Sequence, residues 1–147
     1  MKDNGDFIFT TSQHLVEASI SKFNIPLVNN NDILLSFKLT LGRIGIATCD
    51  MVTNEAIACF KVDDVYRPYL FCFLSNYNFE SKMESTSSIG KAFNSTLLKS
   101  VDFLYPSYQN LCNFNSIVSP LMDRVRILRE KQIKLQKIKK DLLLKYF

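Results

Sequence analysis

The chain has 147 residues, 47% of them hydrophobic and 22% charged. That composition excludes a disordered polymer and predicts one folded domain with a single sizeable core. The net charge of +4 is unevenly spread: Met1 to Asn113 holds 9 Lys+Arg against 11 Asp+Glu, while Phe114 to Phe147 holds 9 against 3. A basic tail of this kind attracts nucleic acid or an acidic protein surface, or is simply a solvated helix face.

Taken in chain order, the N-terminus MKDNGDF is acidic and carries no apolar core, and no run of about 20 apolar residues follows it. These features predict a cytoplasmic protein without a membrane span. His14 is the only histidine and reads as a surface or satisfied residue. The turn-forming Asn29-Asn30-Asn31-Asp32 precedes Ile33 to Lys38, a β-prone run. Gly42 to Ala47 follows after a tight turn near Leu41-Gly42, so the two runs predict a strand pair. Glu55 to Val62 predicts a third strand. Asp64 to Asn76 has near-helical apolar spacing at Val65, Tyr69, Cys72 and Phe73, with Asp63 or Asp64 as cap and Pro68 in the first turn. Glu84 to Lys91 reads as a loop, and Val101 to Tyr105 as a strand ended by Pro106. Cys49, Cys59, Cys72 and Cys112 form no C-x-x-C pair and have apolar flanks, which predicts buried, reduced thiols and no zinc site.

The C-terminal segment has the clearest pattern. Ser119 as N-cap and Pro120 as first helical residue open a helix predicted over 119–147, after a connector at 108–118. Leucine recurs every seven residues at Leu121, Leu128, Leu135 and Leu142, and Val118 and Val125 stand three residues before the first two. Ile133, Ile138 and Leu143 widen the apolar surface. This is a coiled-coil seam of three to four heptads, with Leu121, Val125, Leu128, Leu135, Ile138 and Leu142 as the pairing residues. About 28 helical residues span roughly 42 Å, too long to be covered by a head of some 110 residues, so a second helix is expected beside it. The expected fold is therefore an α/β (α+β) globular domain over 1–107 followed by a long coiled-coil-forming helix.

The inventory argues against an enzyme. There is no phosphate-cradling G-x-x-x-x-G-K-[ST], Gly42-Arg43-Ile44-Gly45 lacks the third glycine of a dinucleotide fingerprint and reads as a hairpin turn, and Asp63-Asp64 reads as a helix cap. No cofactor and no metal are predicted.

Three segments in order resemble one known family. The first is Asp32 to Ile46 (DILLSFKLTLGRIGI) followed by Thr53-Asn54-Glu55-Ala56-Ile57. The second is Thr86 to Asn94 (TSSIGKAFN), leading into Leu97-Leu98 and Val101 to Pro106. The third is Leu121 to Val125, Glu130 to Ile133, Leu135, Ile138-Lys139-Lys140 and Leu142-Leu143 before Tyr146-Phe147. Together they are similar to the target-recognition domain and spacer helix of bacterial Type I restriction-modification specificity subunits. The resemblance covers residues 30–147 and corresponds to about half of such a subunit, with a short N-terminal portion.

The resemblance implies a non-catalytic DNA-binding protein that positions methyltransferase subunits, and through them a restriction subunit, on double-stranded DNA. It also implies that two spacer helices pack antiparallel and set the distance between two recognition domains; a homodimer would restore that arrangement here. Specific reading needs polar groups at base edges and cations at phosphates. One candidate loop offers Ser36, Lys38, Thr40 and Arg43; the other offers Ser85, Thr86, Ser87, Ser88, Lys91 and Asn94. Arg43 suits guanine and Asn94 adenine, whereas Lys38 and Lys91 suit phosphates. The plain alternatives are a flexible loop for Ser85–Ser88 and a helix N-cap for Asn94. A truncated subunit that only engages partners through its helix is the second functional reading.

Overall fold

The computed structural model of the chain describes residues 6–11, 13–38, 40–84 and 94–146. At the centre of the head lies a four-stranded mixed sheet, β1 (Phe7–Ile8), β4 (Ile44–Ala47), β3 (Ile33–Ser36) and β6 (Ile57–Phe60), in that spatial order. β3 runs antiparallel to both neighbours, with Leu34 opposite Gly45 on one side and Cys59 on the other, while β1 joins β4 in parallel. The predicted strand pair and third strand are therefore present, each shorter than its apolar run.

β3 is buried on both faces, which explains why its sequence is continuously apolar instead of alternating. Successive side chains still point to opposite sides. Ile33 and Leu35 join Phe7, Ile46, Phe71, Leu74 and Phe79 in the larger cluster. Leu34 joins Ile8, Val28 and Ala47 in a smaller one. A two-stranded ribbon of β2 (Leu27–Val28) and β5 (Met51–Val52) supplies Val28 and Met51 to that second cluster. A short helix, α1 (Glu17–Lys22), precedes β2.

Helices cover the larger cluster. α2 (Arg67–Asn76) buries Pro68, Phe71 and Leu74, with the proline in its first turn as expected. The expected aspartate cap is not formed: Tyr66 occupies the cap position without a side-chain bond, and Asp64 pairs with Arg67 instead. α3 (Phe79–Glu84) and α4 (Ser95–Lys99) follow. Residues 101–107 belong to no strand, contrary to expectation. Side chains hold the 103–105 stretch in place of a ladder: Tyr69 Oη donates to the Leu104 carbonyl at 3.2 Å, and Phe103 meets the rings of Tyr69 and Phe73 edge-on. The cysteines are free as predicted but not buried: Cys49 and Cys59 are exposed, and Cys72 and Cys112 half-buried.

The last element, α5 (Tyr108–Tyr146), runs for 39 residues, about 58 Å. It starts eleven residues before the expected Ser119, so the stretch predicted as a connector is helical. Ser107 is the reason, since its hydroxyl receives the Asn110 N–H at 3.3 Å and its carbonyl the Leu111 N–H at 3.0 Å. Pro120 then sits inside the helix, where it leaves the Ser116 carbonyl without its helical donor. Packing on both sides of the proline offsets that loss: Leu111 is fully buried, the Asn115 amide donates to the Val65 carbonyl at 2.8 Å, and Met122 packs on the larger cluster.

Candidate nucleic-acid interface

The hairpin between β3 and β4 is built around one hydroxyl. Ser36 is buried at the end of β3, and its Oγ donates to the Thr40 carbonyl and receives the Arg43 N–H at 3.2 Å. The Ser36 backbone completes the brace, its N–H bonding the Arg43 carbonyl at 2.8 Å and its own carbonyl receiving the Gly42 N–H at 3.0 Å. Gly42 closes the turn at φ +78°, a left-handed conformation that favours glycine. A Cβ there would stand 3.5 Å from the Phe79 ring, so the turn also rests on α3.

This geometry divides the four residues predicted for the first loop. Ser36 is a brace, buried with its oxygen engaged. Lys38 and Thr40 are exposed at the tip, and Arg43 is half-buried where β4 begins. Between Asp32 and Asp50 the only charged residues are Lys38 and Arg43. Both aspartates lie at the opposite end of the strand pair, where Asp32 receives the Asn29 N–H at 2.8 Å and Asp50 the Asn30 N–H at 3.0 Å. At about 3.3 Å per residue, the four residues of β3 separate acidic and basic ends by roughly 13 Å. The hairpin therefore offers a cationic end suited to phosphate. That segregation was readable in the sequence and was missed there.

In the second loop, Thr86, Ser87, Ser88 and Lys91, with Ser85, lie outside the described residues. Asn94 is described and caps α4, its Oδ1 receiving the Leu97 N–H at 3.0 Å. The cap uses one of that oxygen's two lone pairs and fixes the side chain toward the start of α4. Leu97 and Leu98 pack on the same apolar cluster as Leu41 and Ile44 of the hairpin, so the bases of the two loops share one support.

α5 presents two faces. Leu111, Asn115, Met122 and Arg126 turn toward the head, the last through an Nη1 contact to Asn31 Oδ1 at 3.4 Å. At 100° per residue, the heptad leucines lie about 140° around the helix from that face. Leu121, Leu128, Leu135 and Leu142 are 62%, 54%, 65% and 52% exposed, and Val125 and Ile138 are exposed as well. From 134 to 146 every side chain is exposed. Of the basic residues, Lys134 pairs with Glu130 at 2.7 Å and Arg129 donates to Gln132 at 2.7 Å. Arg124, Lys131, Lys137, Lys139 and Lys140 are exposed.

A feature that sequence reasoning missed lies near the acidic end of the hairpin. A cleft of about 600 Å³ is assembled from the Asn29–Asp32 turn, residues 61–63, the start of α2 and residues 103–105. No single segment of the sequence carries its signal. Among the described residues, no helix is long and apolar enough to cross a membrane. Comparison with protein-family models finds no match for this chain, and comparison with curated proteins finds none.

Proposed function

We propose that this chain is a DNA-recognition module of the kind found in bacterial Type I restriction-modification specificity subunits. Its head reads a short sequence in double-stranded DNA, and α5 pairs with a second helix to hold two heads at a set spacing. Methylation and cleavage belong to partner subunits, and the chain itself is non-catalytic. The observation that carries this reading is the helix: a leucine-lined rod whose apolar stripe its own head leaves open. The cationic end of the hairpin supports it, because Lys38 and Arg43 supply charge for phosphate and Arg43 a fork for guanine.

Selection from random duplexes tests the proposal, using the full chain together with a methyltransferase subunit. The expected result is an enriched short motif and binding that weakens steeply with salt. Absence of any enriched motif would overturn it. One observation favours the second reading, an interaction module without sequence preference: the oxygens of Ser36 and Asn94 are both engaged within the protein. That reading predicts a complex with the methyltransferase subunit and DNA that is indifferent to sequence.

A further inference from the structure

The cleft at the acidic end of the hairpin has the chemistry of a cation receptor. Its volume of about 600 Å³ falls within the range of ligand sites. Tyr66, Phe103 and Tyr105 wall it, buried Asp32 lies at its base, and exposed Lys61 and Asp63 stand at its rim. The Asp32 carboxylate is held before any ligand arrives, by the Asn29 N–H at 2.8 Å and the Cys59 thiol at 3.5 Å. Two carboxylates against one ammonium leave the cleft net negative.

The charges are also separated within it. Asp32 and Lys61 both act on the Cys59 thiol, the carboxylate raising and the ammonium lowering its pKa, so these two opposite charges belong to the β6 side. Asp63 acts on the Tyr105 phenol, which is raised first by its hydrogen bond with Tyr66, then by desolvation, then by the Tyr66 and Asp63 charges. The negative end is therefore the aromatic end. There the Tyr66 and Tyr105 rings stand 5.1 Å apart at 37°, and Phe103 meets Tyr105 at 77°. Ring faces set at an angle beside a carboxylate suit a flat cation, which can stack and form an ion pair together. A compact ammonium would also be drawn to the rings, but it cannot lie flat on them while pairing with the carboxylate through a planar fork. A nucleotide would bring its phosphate against two carboxylates.

We infer that this cleft receives the guanidinium of an arginine side chain carried by a partner protein, stacked on the Tyr66–Tyr105 pair and charge-paired with Asp63. A protein is favoured over free arginine because exposed Leu104 and Tyr108 flank Tyr105 in sequence, offering apolar surface that only a larger partner would cover. The inference is independent of the DNA reading and stands or falls apart from it.

The test is an NMR titration of the ¹⁵N-labelled full chain with N-acetyl-arginine amide, with the lysine and citrulline analogues and adenosine monophosphate in parallel. Saturable shifts of the amides at 61–66 and 103–105 are expected with arginine, weaker with lysine and absent with citrulline. Asp63→Asn and Tyr105→Ala alter exposed side chains and should each weaken arginine binding about threefold to fivefold. A blocked Leu-Arg-Leu peptide should bind at least about threefold more tightly than N-acetyl-arginine amide, through the added apolar contact. No saturable shift with arginine, equal shifts with citrulline, or tighter binding of the nucleotide would overturn the site. Equal affinity of peptide and single residue would overturn the protein-borne source.

Discussion

Replacing Leu128 and Leu135 together by alanine removes the middle of the open stripe on α5. The two side chains are 54% and 65% exposed in the single chain. Full burial of a leucine contributes about 2 kcal/mol, so covering the exposed part contributes roughly 1.2 kcal/mol each. A two-fold pair contains four such side chains, and the double variant therefore loses about 5 kcal/mol of association energy. At 1.4 kcal/mol per factor of ten, the dissociation constant rises by more than three orders of magnitude. Sedimentation equilibrium reads this directly. The unmodified chain is expected to be a dimer at micromolar concentration and the variant a monomer at tens of micromolar. The unmodified chain and the variant should share the same circular dichroism, because both leucines are exposed in the single chain. A monomeric unmodified chain at about 100 μM, or a variant whose mass is unchanged, would refute the pairing argument.

Other perturbations test the head. Leu111→Ala opens a cavity where α5 is anchored, and urea denaturation should record a loss of about 2–5 kcal/mol; a smaller loss would mean that the helix is held chiefly elsewhere. Ser36→Ala should cost about 1–3 kcal/mol, because the Arg43 N–H loses its partner. DNA affinity lost by this variant with no change in melting temperature would instead make Ser36 a base contact. The Cys59 thiol is raised from 9.0 to about 11, first by desolvation and then by the charge and hydrogen bond of Asp32. Iodoacetamide should therefore alkylate it roughly tenfold more slowly at pH 8 than an ordinary cysteine, the smaller thiolate fraction being partly offset by the greater nucleophilicity of a thiolate of higher pKa, and Asp32→Asn should speed the reaction. Because this folded-state value lies above the unfolded one, the thiol's contribution to stability is complete below pH 9 and is lost as pH rises through about 11. A Cys59→Ser variant whose melting temperature falls equally over that window would refute the assignment.

The strand pair was legible because its information is local. The apolar run Ile33 to Phe37, the Gly42 turn and the apolar run Ile44 to Ala47 each state their own conformation. The helix start was misread for the converse reason. Ser119-Pro120 is a sound local signal for a helix N-terminus, yet Ser107 supplies an earlier start, and the packing of Leu111 and Met122 carries the helix through the proline. Residues Val101 to Tyr105 have the composition of a strand, but aromatic contacts to α2 hold them without strand pairing. Of the candidate site, the charges at Lys38 and Arg43 were visible; the engagement of the Ser36 and Asn94 oxygens was not.

Residue order by itself determined the α/β head, the long basic helix and the seven-residue leucine repeat, since each rests on periodicity and on neighbours close in the chain. Tertiary structure alone decided which helix face meets the head, that the leucine stripe is left open, and that four separated stretches meet around the Asp32 cleft. Those outcomes depend on which distant surfaces pack together and which are left in water, and no local window of sequence contains that competition.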